Sequence, residues 1–301
     1  MPGLLTPQIL LELVLGGISL GGIYALMAFA LSLALATTHI LNIAHGSFMV
    51  MGAALSTLLL KHLGVPPVVG LGVLILVFAL VGWSFESVCV RPLLGRAPER
   101  ILIGSILITF GFALTFEAVL GFYWAKLVDP QPTFSLSVAM PRLSLWGVSL
   151  SGTRLAILAF VCVAVLLFHL FLRKTSIGKM ARAIAQDYEG ALILGVNPRV
   201  VSVTIFTLGL LATAFSGLFF ILATPLNPHD GLRLTLIAMT VLVIGGVGSL
   251  PGALLAGILL GIAEVFTAFI AGAVWSPVIS VLVFFVVLLL RPEGLAGLRH
   301  G

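Results

Sequence analysis

The stretch His39-Ile40-Leu41-Asn42-Ile43-Ala44-His45-Gly46-Ser47-Phe48 places an asparagine, two histidines, a glycine and a serine in apolar surroundings. Such groups are costly at membrane depth unless they face protein or a water-filled route. A helix broken here would leave backbone groups free to line a solute path, with Asn42, His45 and Ser47 on it. An interfacial loop between two spans would also account for the composition. A metal site on His39 and His45 is a poor fit, because no carboxylate or cysteine lies beside them. Cys89 and Cys162 have no metal-ligand spacing, and no disulfide is expected between them.

Other polar groups sit in apolar runs. Glu264 lies mid-span and must either face the path or hydrogen-bond glycine-rich backbone. Glu117 lies near one end of its span, where its side chain can snorkel. The run Gly245-Gly246-Val247-Gly248-Ser249-Leu250-Pro251-Gly252 cannot continue a straight helix. It reads as a structural turn built on Gly245, Gly246, Gly248, Ser249, Pro251 and Gly252. That turn is either a tight cytoplasmic hairpin or a re-entrant turn opposite the 42–48 break. It is not a phosphate loop, since no lysine follows the glycines and GxxxxGK[ST] occurs nowhere. GxSxG is also absent from this run. Without a nucleophile–base pair or paired carboxylates at membrane depth, an intramembrane enzyme is unsupported. No cofactor or metal is expected on the chain itself.

The elements that must carry these groups follow from composition. Hydrophobic residues make up 60% of 301 positions and charged residues only 8%, against about 25% charge in soluble domains. Apolar runs of membrane-crossing length recur at 8–36, 40–60, 66–90, 101–122, 154–172, 200–223, 233–249, 253–270 and 274–290. The expected fold is therefore all-α: a polytopic transmembrane bundle of about 8–9 spans with broken or re-entrant helices, one domain over 1–301. Gly16, Gly17, Gly21 and Gly22, and the pair Gly257 and Gly261, are read as helix-packing positions. The net charge of +5 does not point to nucleic acid, because the basic residues form short clusters between apolar runs. Those clusters assign the cytoplasmic side. They are Arg91, Arg96 and Arg100; then Arg173, Lys174, Lys179, Arg182 and Arg199; then Arg291 and Arg299. The 123–153 connection, with Lys126, Arg142 and Arg154, is then periplasmic. The N-terminus also lies outside if 40–60 crosses.

The cytoplasmic segment 173–199 is the most soluble-looking part of the chain. Its Lys179-Met180-Ala181-Arg182-Ala183-Ile184-Ala185-Gln186 favours a short helix. Asp187 and Glu189 can cap or charge a second short helix, and Gly195 can end it. Two short helices at a sharp bend form a knob that can fit a partner's groove and move as a rigid body.

Glu189-Gly190-Ala191-x-x-x-Gly195 resembles the E-A-A-x-x-x-G coupling motif of ABC importer permeases, with Gly190 at the central alanine. More narrowly, Gly178…Arg182-Ala183…Asp187…Ala191…Leu194-Gly195-Val196-Asn197 resembles the branched-chain amino acid permease family. Further pieces agree in order and spacing: Gly22-x-Tyr24-Ala25-Leu26, Asn42-x-Ala44-His45-Gly46, Glu86…Arg91-Pro92, Gly245-Gly246-x-Gly248-Ser249-x-Pro251-Gly252 with Gly261-x-x-Glu264, and Arg291-Pro292-x-Gly294-Leu295. The resemblance covers almost the whole chain and is to the first of the two permease subunits in such systems. It implies a pore shared with a second, usually different, permease subunit in a bacterial or archaeal inner membrane. It also implies two cytoplasmic ATPase subunits docking on Arg182, Asp187, Glu189, Gly190, Ala191 and Gly195, and a periplasmic substrate-binding protein. ATP would be bound by the partners, and the bilayer surrounds the spans. Asn42, His45, Ser47 and Glu264 are the expected path residues. Many members carry an acid where this chain has Ser47, a change that would alter specificity if that position faces substrate.

Branched-chain amino acids are the default cargo, with other amino acids, urea or short amides as alternatives. A stand-alone secondary transporter or channel would need the two irregular segments as paired half-helices. It would leave 173–199 without a purpose.

Overall fold

A computed structural model describes residues 6–94, 98–130, 133–138, 143–145 and 148–290. Arg96, Arg142, Arg291 and Arg299, and the Arg291-Pro292-x-Gly294-Leu295 run, lie outside the described residues. The helices are α1 (Pro7–Thr38), α2 (His45–Thr57), α3 (Pro67–Phe85), α4 (Pro98–Leu127), α5 (Gly152–Lys174), α6 (Ser176–Gln186), α7 (Tyr188–Ile193), α8 (Pro198–Phe220), α9 (Gly231–Gly245), α10 (Leu250–Ala271) and α11 (Ser276–Leu290). A π-helical turn, Leu58–His62, continues α2, and another, Glu86–Val90, continues α3. Strands β1 (Leu143–Leu145) and β2 (Val148–Leu150) pair as a small antiparallel ribbon. The ribbon is a minor departure from the all-α expectation.

Among the described residues, seven helices are long and apolar enough to cross a membrane. The chain is a multi-pass membrane protein of the cell membrane. Helices α2 and α9 are shorter. Fifteen residues of α9 rise about 22 Å, against a hydrocarbon core of about 30 Å. The sequence predicts a span from 40, but the helix starts at His45, because the backbone of 39–44 takes its partners from elsewhere. His39, at φ 57, closes α1 by donating its N–H to Leu35 O, and the following residues run non-helical into the bundle.

Lipid is as apolar as leucine, so helix association in a membrane depends on close packing rather than burial. The glycines supply it. Helices α1 and α10 run antiparallel with Gly21 on Gly257 and Gly17 on Gly261. A Cβ on Gly21 would lie 2.6 Å from Ile258 Cα, and one on Gly22 would lie 2.8 Å from Val161 Cγ1. At the outer ends of α1 and α5, Arg154 Nη1 donates to Glu12 O at 3.0 Å, and its guanidinium stands 3.6 Å from the Glu12 carboxylate.

Two apolar clusters divide the bundle. One joins Leu33, Val90, Ile101, Ala181, Ile184, Ala191, Val201 and Leu250, beside the basic Arg91, Arg100 and 173–199 groups. The other holds Trp124, Phe134, Ile157 and Leu226 toward the opposite end. The basic clusters thus gather at one end of the bundle; α1 runs toward that end, α2 away from it and α3 toward it. At the basic end, α9 and α10 meet in a tight hairpin. Gly246 and Gly248 adopt φ 88 and φ 77, and Ser249 Oγ caps α10 by accepting Gly252 N–H at 3.1 Å. Gly248 N–H donates to Ser32 Oγ of α1 at 2.6 Å. Of the two expected forms for 245–252 the hairpin is the one found. The element that opposes the 42–48 break is the start of α9.

Candidate functional site

The break is held by side chains from three helices. Asn42 Oδ1 accepts Ala44 N–H at 3.1 Å, which makes a tight turn, and Asn42 O accepts His45 N–H at 3.3 Å. Thr109 of α4 accepts Ile43 N–H at 3.0 Å through its hydroxyl oxygen. Thr235 of α9 donates to Ile43 O at 2.7 Å and accepts Gly46 N–H at 2.8 Å. These bonds satisfy the groups that an uninterrupted helix would have paired within itself. His45 Nε2 lies 3.0 Å from Met27 O of α1 and 2.9 Å from Thr213 Oγ1 of α8. A carbonyl only accepts, so this nitrogen carries the hydrogen. His39 is exposed at the end of α1, whereas His45 is buried.

Asn42, His45 and Ser47 are all buried inside this chain. A gap of ≈ 10 Å³ lies between Asn42, His45, Ala30, Ala34 and Gly209, room for one water at most, which needs about 10–15 Å³. Gly46 is where α2 and α9 approach closest, since a Cβ there would run into Gly231 O and lie 2.6 Å from Thr235 N.

The sequence reading of Glu117 as a snorkelling end residue misses its partners. Its Oε1 accepts from Ser47 Oγ at 3.1 Å and packs against Gly231, the first residue of α9. Ser47 and Gly231 lie in the first turns of α2 and α9, where helix N–H groups lack internal partners and favour negative charge. Glu117 therefore sits against the starts of two short helices at once. The signal in the sequence is a four-residue period: Ser105, Thr109, Ala113 and Glu117 form one stripe of α4, all buried, while Leu107, Leu114 and Phe122 on other faces are exposed. Asp230 and Arg233 also escaped the sequence reading. Asp230 Oδ2 accepts Asn227 N–H at 2.7 Å, and its Oδ1 accepts Arg233 Nε at 3.1 Å.

Glu264 of α10 joins three helices. Its Oε2 accepts from Tyr24 Oη of α1 at 2.9 Å, and Ser280 Oγ of α11 hydrogen-bonds Oε1. Of the two expectations for it, the bonded partners are side-chain hydroxyls rather than glycine backbone. Glu86, in the π-helical turn after α3, accepts from Ser202 Oγ at 2.9 Å; its second oxygen is buried with no hydrogen-bond partner among the described residues.

Beyond the basic end of α5, α6 and α7 form a compact knob. Thr175 Oγ1 caps α6 by accepting Gly178 N–H at 3.0 Å. Asp187 alone separates the helices, and its Oδ1 caps α7 by accepting Gly190 N–H at 3.0 Å. A Cβ at 190 would lie 2.9 Å from Asp187 Cγ, which gives a physical reason for glycine at that position. Gly195, at φ 80, ends the second helix with its N–H on Leu192 O at 2.9 Å. Ala191 is buried, whereas Arg182 and Glu189 face outward. Ile193 and Leu194 are 86% and 82% exposed on the tip.

The permease component of branched-chain amino acid transport systems, as a family, matches residues 13–290. A high-affinity branched-chain amino acid transport system permease protein, LivH of Escherichia coli K12, is 29% identical, with 95% of each chain covered. BraD of Pseudomonas aeruginosa, described in the same words, is also 29% identical over 95% of each chain. The galactofuranose transporter permease protein YtfT of E. coli K12 is 31% identical over 78% of this chain and 59% of its own. PsaBC from Streptococcus pneumoniae, solved with a Fab, shares the fold at TM-score 0.51 and 10% identity, covering 92% of this chain and 91% of that one. With its break, its capped knob and a match over nearly its whole length, the chain belongs to the family of branched-chain amino acid transport system permease components.

Proposed function

We propose that this chain is one permease subunit of an ATP-driven importer, with branched-chain or related amino acids as cargo. In this reading residues 1–301 are a single permease domain in a bacterial or archaeal inner membrane. It supplies half of a path whose other half comes from a second, different permease subunit. Two ATPase subunits dock on 173–199 through Arg182, Asp187, Glu189, Gly190, Ala191 and Gly195. A periplasmic binding protein delivers substrate on the side of 123–153. The observation that carries this reading is the α6–α7 knob. It is capped at both helix starts, anchored by buried Ala191, and tipped by apolar side chains exposed outside the bundle. An apolar tip on a rigid stem fits insertion into a groove on a partner.

Asn42, His45, Ser47 and Glu264 remain the proposed path residues. In this arrangement they bond across α1, α4, α8, α10 and α11, so they would meet substrate when those contacts part. The relative named for galactofuranose favours a sugar as the second reading of the cargo.

The docking role is tested with Glu189→Lys in the chain co-expressed with its neighbouring ATPase, binding-protein and permease genes. Glu189 is exposed, so the substitution leaves the knob's packed side untouched. The expected result is loss of ATPase co-purification with membrane insertion intact. Unchanged co-purification would count against the docking site.

A further inference from the structure

Arg233 occupies a place where a membrane protein seldom puts a half-exposed arginine. It is the third residue of α9, whose first residue, Gly231, packs on Glu117 and Ser47. Glu117 lies about 7 Å from the middle of the 30-residue α4 and so inside a hydrocarbon core of about 30 Å. The Arg233 side chain is 42% exposed at this depth. A charged group there must face water or a polar partner and not hydrocarbon. Among the described residues its guanidinium has one hydrogen-bonded partner, Asp230, held through Nε. Asp230 is itself committed to the Asn227 N–H. The Nη groups, which form the outer edge of the fork, are left for something else. Arg233 continues into an outward stripe of α9 with Leu236 and Thr240, while Leu234, Thr235, Ile237 and Ala238 turn inward. The Glu264 carboxylate and the Tyr24 hydroxyl are within its electrostatic range.

We propose that Arg233 marks the wet wall of the translocation path and receives the carboxylate of the passing solute. Guanidinium and carboxylate match as a planar two-bond pair, and Asp230 fixes the fork by its inner edge. The wet, anion-attracting face stands on the geometry alone. That the anion is an amino acid's carboxylate rests on the importer reading above.

The assembled importer, with Cys89 and Cys162 replaced by serine and Leu236→Cys introduced one turn from Arg233, tests the face directly. Rates of modification by anionic and cationic membrane-impermeant thiosulfonates are compared from outside. The anionic reagent is expected to be favoured, and Arg233→Gln to lower the anion-to-cation ratio about tenfold, as focusing by a local charge implies. No reaction with either reagent, or a ratio that Arg233→Gln leaves unmoved, would overturn the proposal. So would loss of the second permease subunit in Arg233→Gln, because that assigns the guanidinium to a partner's carboxylate.

Leucine uptake in the same importer tests the ligand. Arg233→Gln should reduce it about tenfold, with Arg233→Lys keeping part of the rate. Normal uptake in Arg233→Gln removes the carboxylate from the proposal. If the wild-type importer takes up no leucine, the cargo reading fails, and the labelling ratio still decides whether this wall attracts anions.

Discussion

Glu117 Oε1 on α4 and Ser47 Oγ on α2 stand 3.1 Å apart inside the bundle, and the same carboxylate oxygen packs against Gly231 at the start of α9. One acid thereby ties two helices that begin within the membrane to a third that crosses it. Ser47→Ala should cost about 1 kcal/mol, the net worth of a buried hydrogen bond. Glu117→Ala should cost more, because it also empties the space that the carboxylate fills against Gly231. The two together should cost less than their sum by about 0.5 kcal/mol or more, since they share one contact. Thermal unfolding of the wild type and the three variants in detergent measures the coupling, and strict additivity would mean the contact contributes nothing.

Gly21 and Gly257 let α1 and α10 touch backbone to backbone. Leucine at either should destabilise the folded chain by at least about 1–3 kcal/mol, because the opposing atoms are main chain and cannot turn aside. Gly111→Leu is the control. Beyond its chain neighbours and its own helix backbone, nothing among the described residues lies within 4 Å of the added Cβ, and the substitution should not lower the melting temperature.

How much of this was legible beforehand depended on the kind of signal. Apolar length located the long helices, and glycine spacing marked Gly17, Gly21, Gly257 and Gly261 as packing positions without saying that they pack on each other. The knob was readable because caps are local: Asp187, Gly190 and Gly195 act within a few residues of one another. The break at 39–48 was visible as misplaced polarity. Its partners Thr109, Thr213 and Thr235 were not, because each reaches it from more than 60 residues away. A lone threonine in an apolar helix usually bonds its own preceding turn, as Thr213 also does with Gly209 O. Arg233 was missed for the opposite reason. A single arginine near the start of an apolar run looks like a helix-end anchor until the neighbouring Gly231 is seen against Glu117.

Gly190→Ala should weaken the knob. The added methyl pushes the Asp187 carboxylate off the N–H it caps, a loss of about 0.5–2 kcal/mol. If this is the mechanism, Asp187→Ala should remove most of the further penalty of Gly190→Ala. Proteolytic nicking of 173–199 in membrane vesicles reads out the order of the segment. Equal nicking in wild type and Gly190→Ala would refute the cap's role.

Gly195 holds φ 80 with open space around it, so a side chain meets no neighbour but does meet its own backbone. Gly195→Ala is expected to cost about 1 kcal/mol, and Gly195→Val more. Gly195→Asn should be nearly neutral, since asparagine tolerates the left-handed region. The same nicking assay ranks the three, and a ranking by side-chain volume alone would point to crowding instead.

The central claim is that the chain moves solute only as part of an ATP-driven assembly. Its most direct test is uptake of radiolabelled leucine into proteoliposomes. These would hold this chain, its second permease subunit and the ATPases, assayed with and without ATP and binding protein. Uptake that requires both ATP and the binding protein, and vanishes with Glu189→Lys, is the predicted result. Uptake by the chain alone, indifferent to ATP, would contradict it.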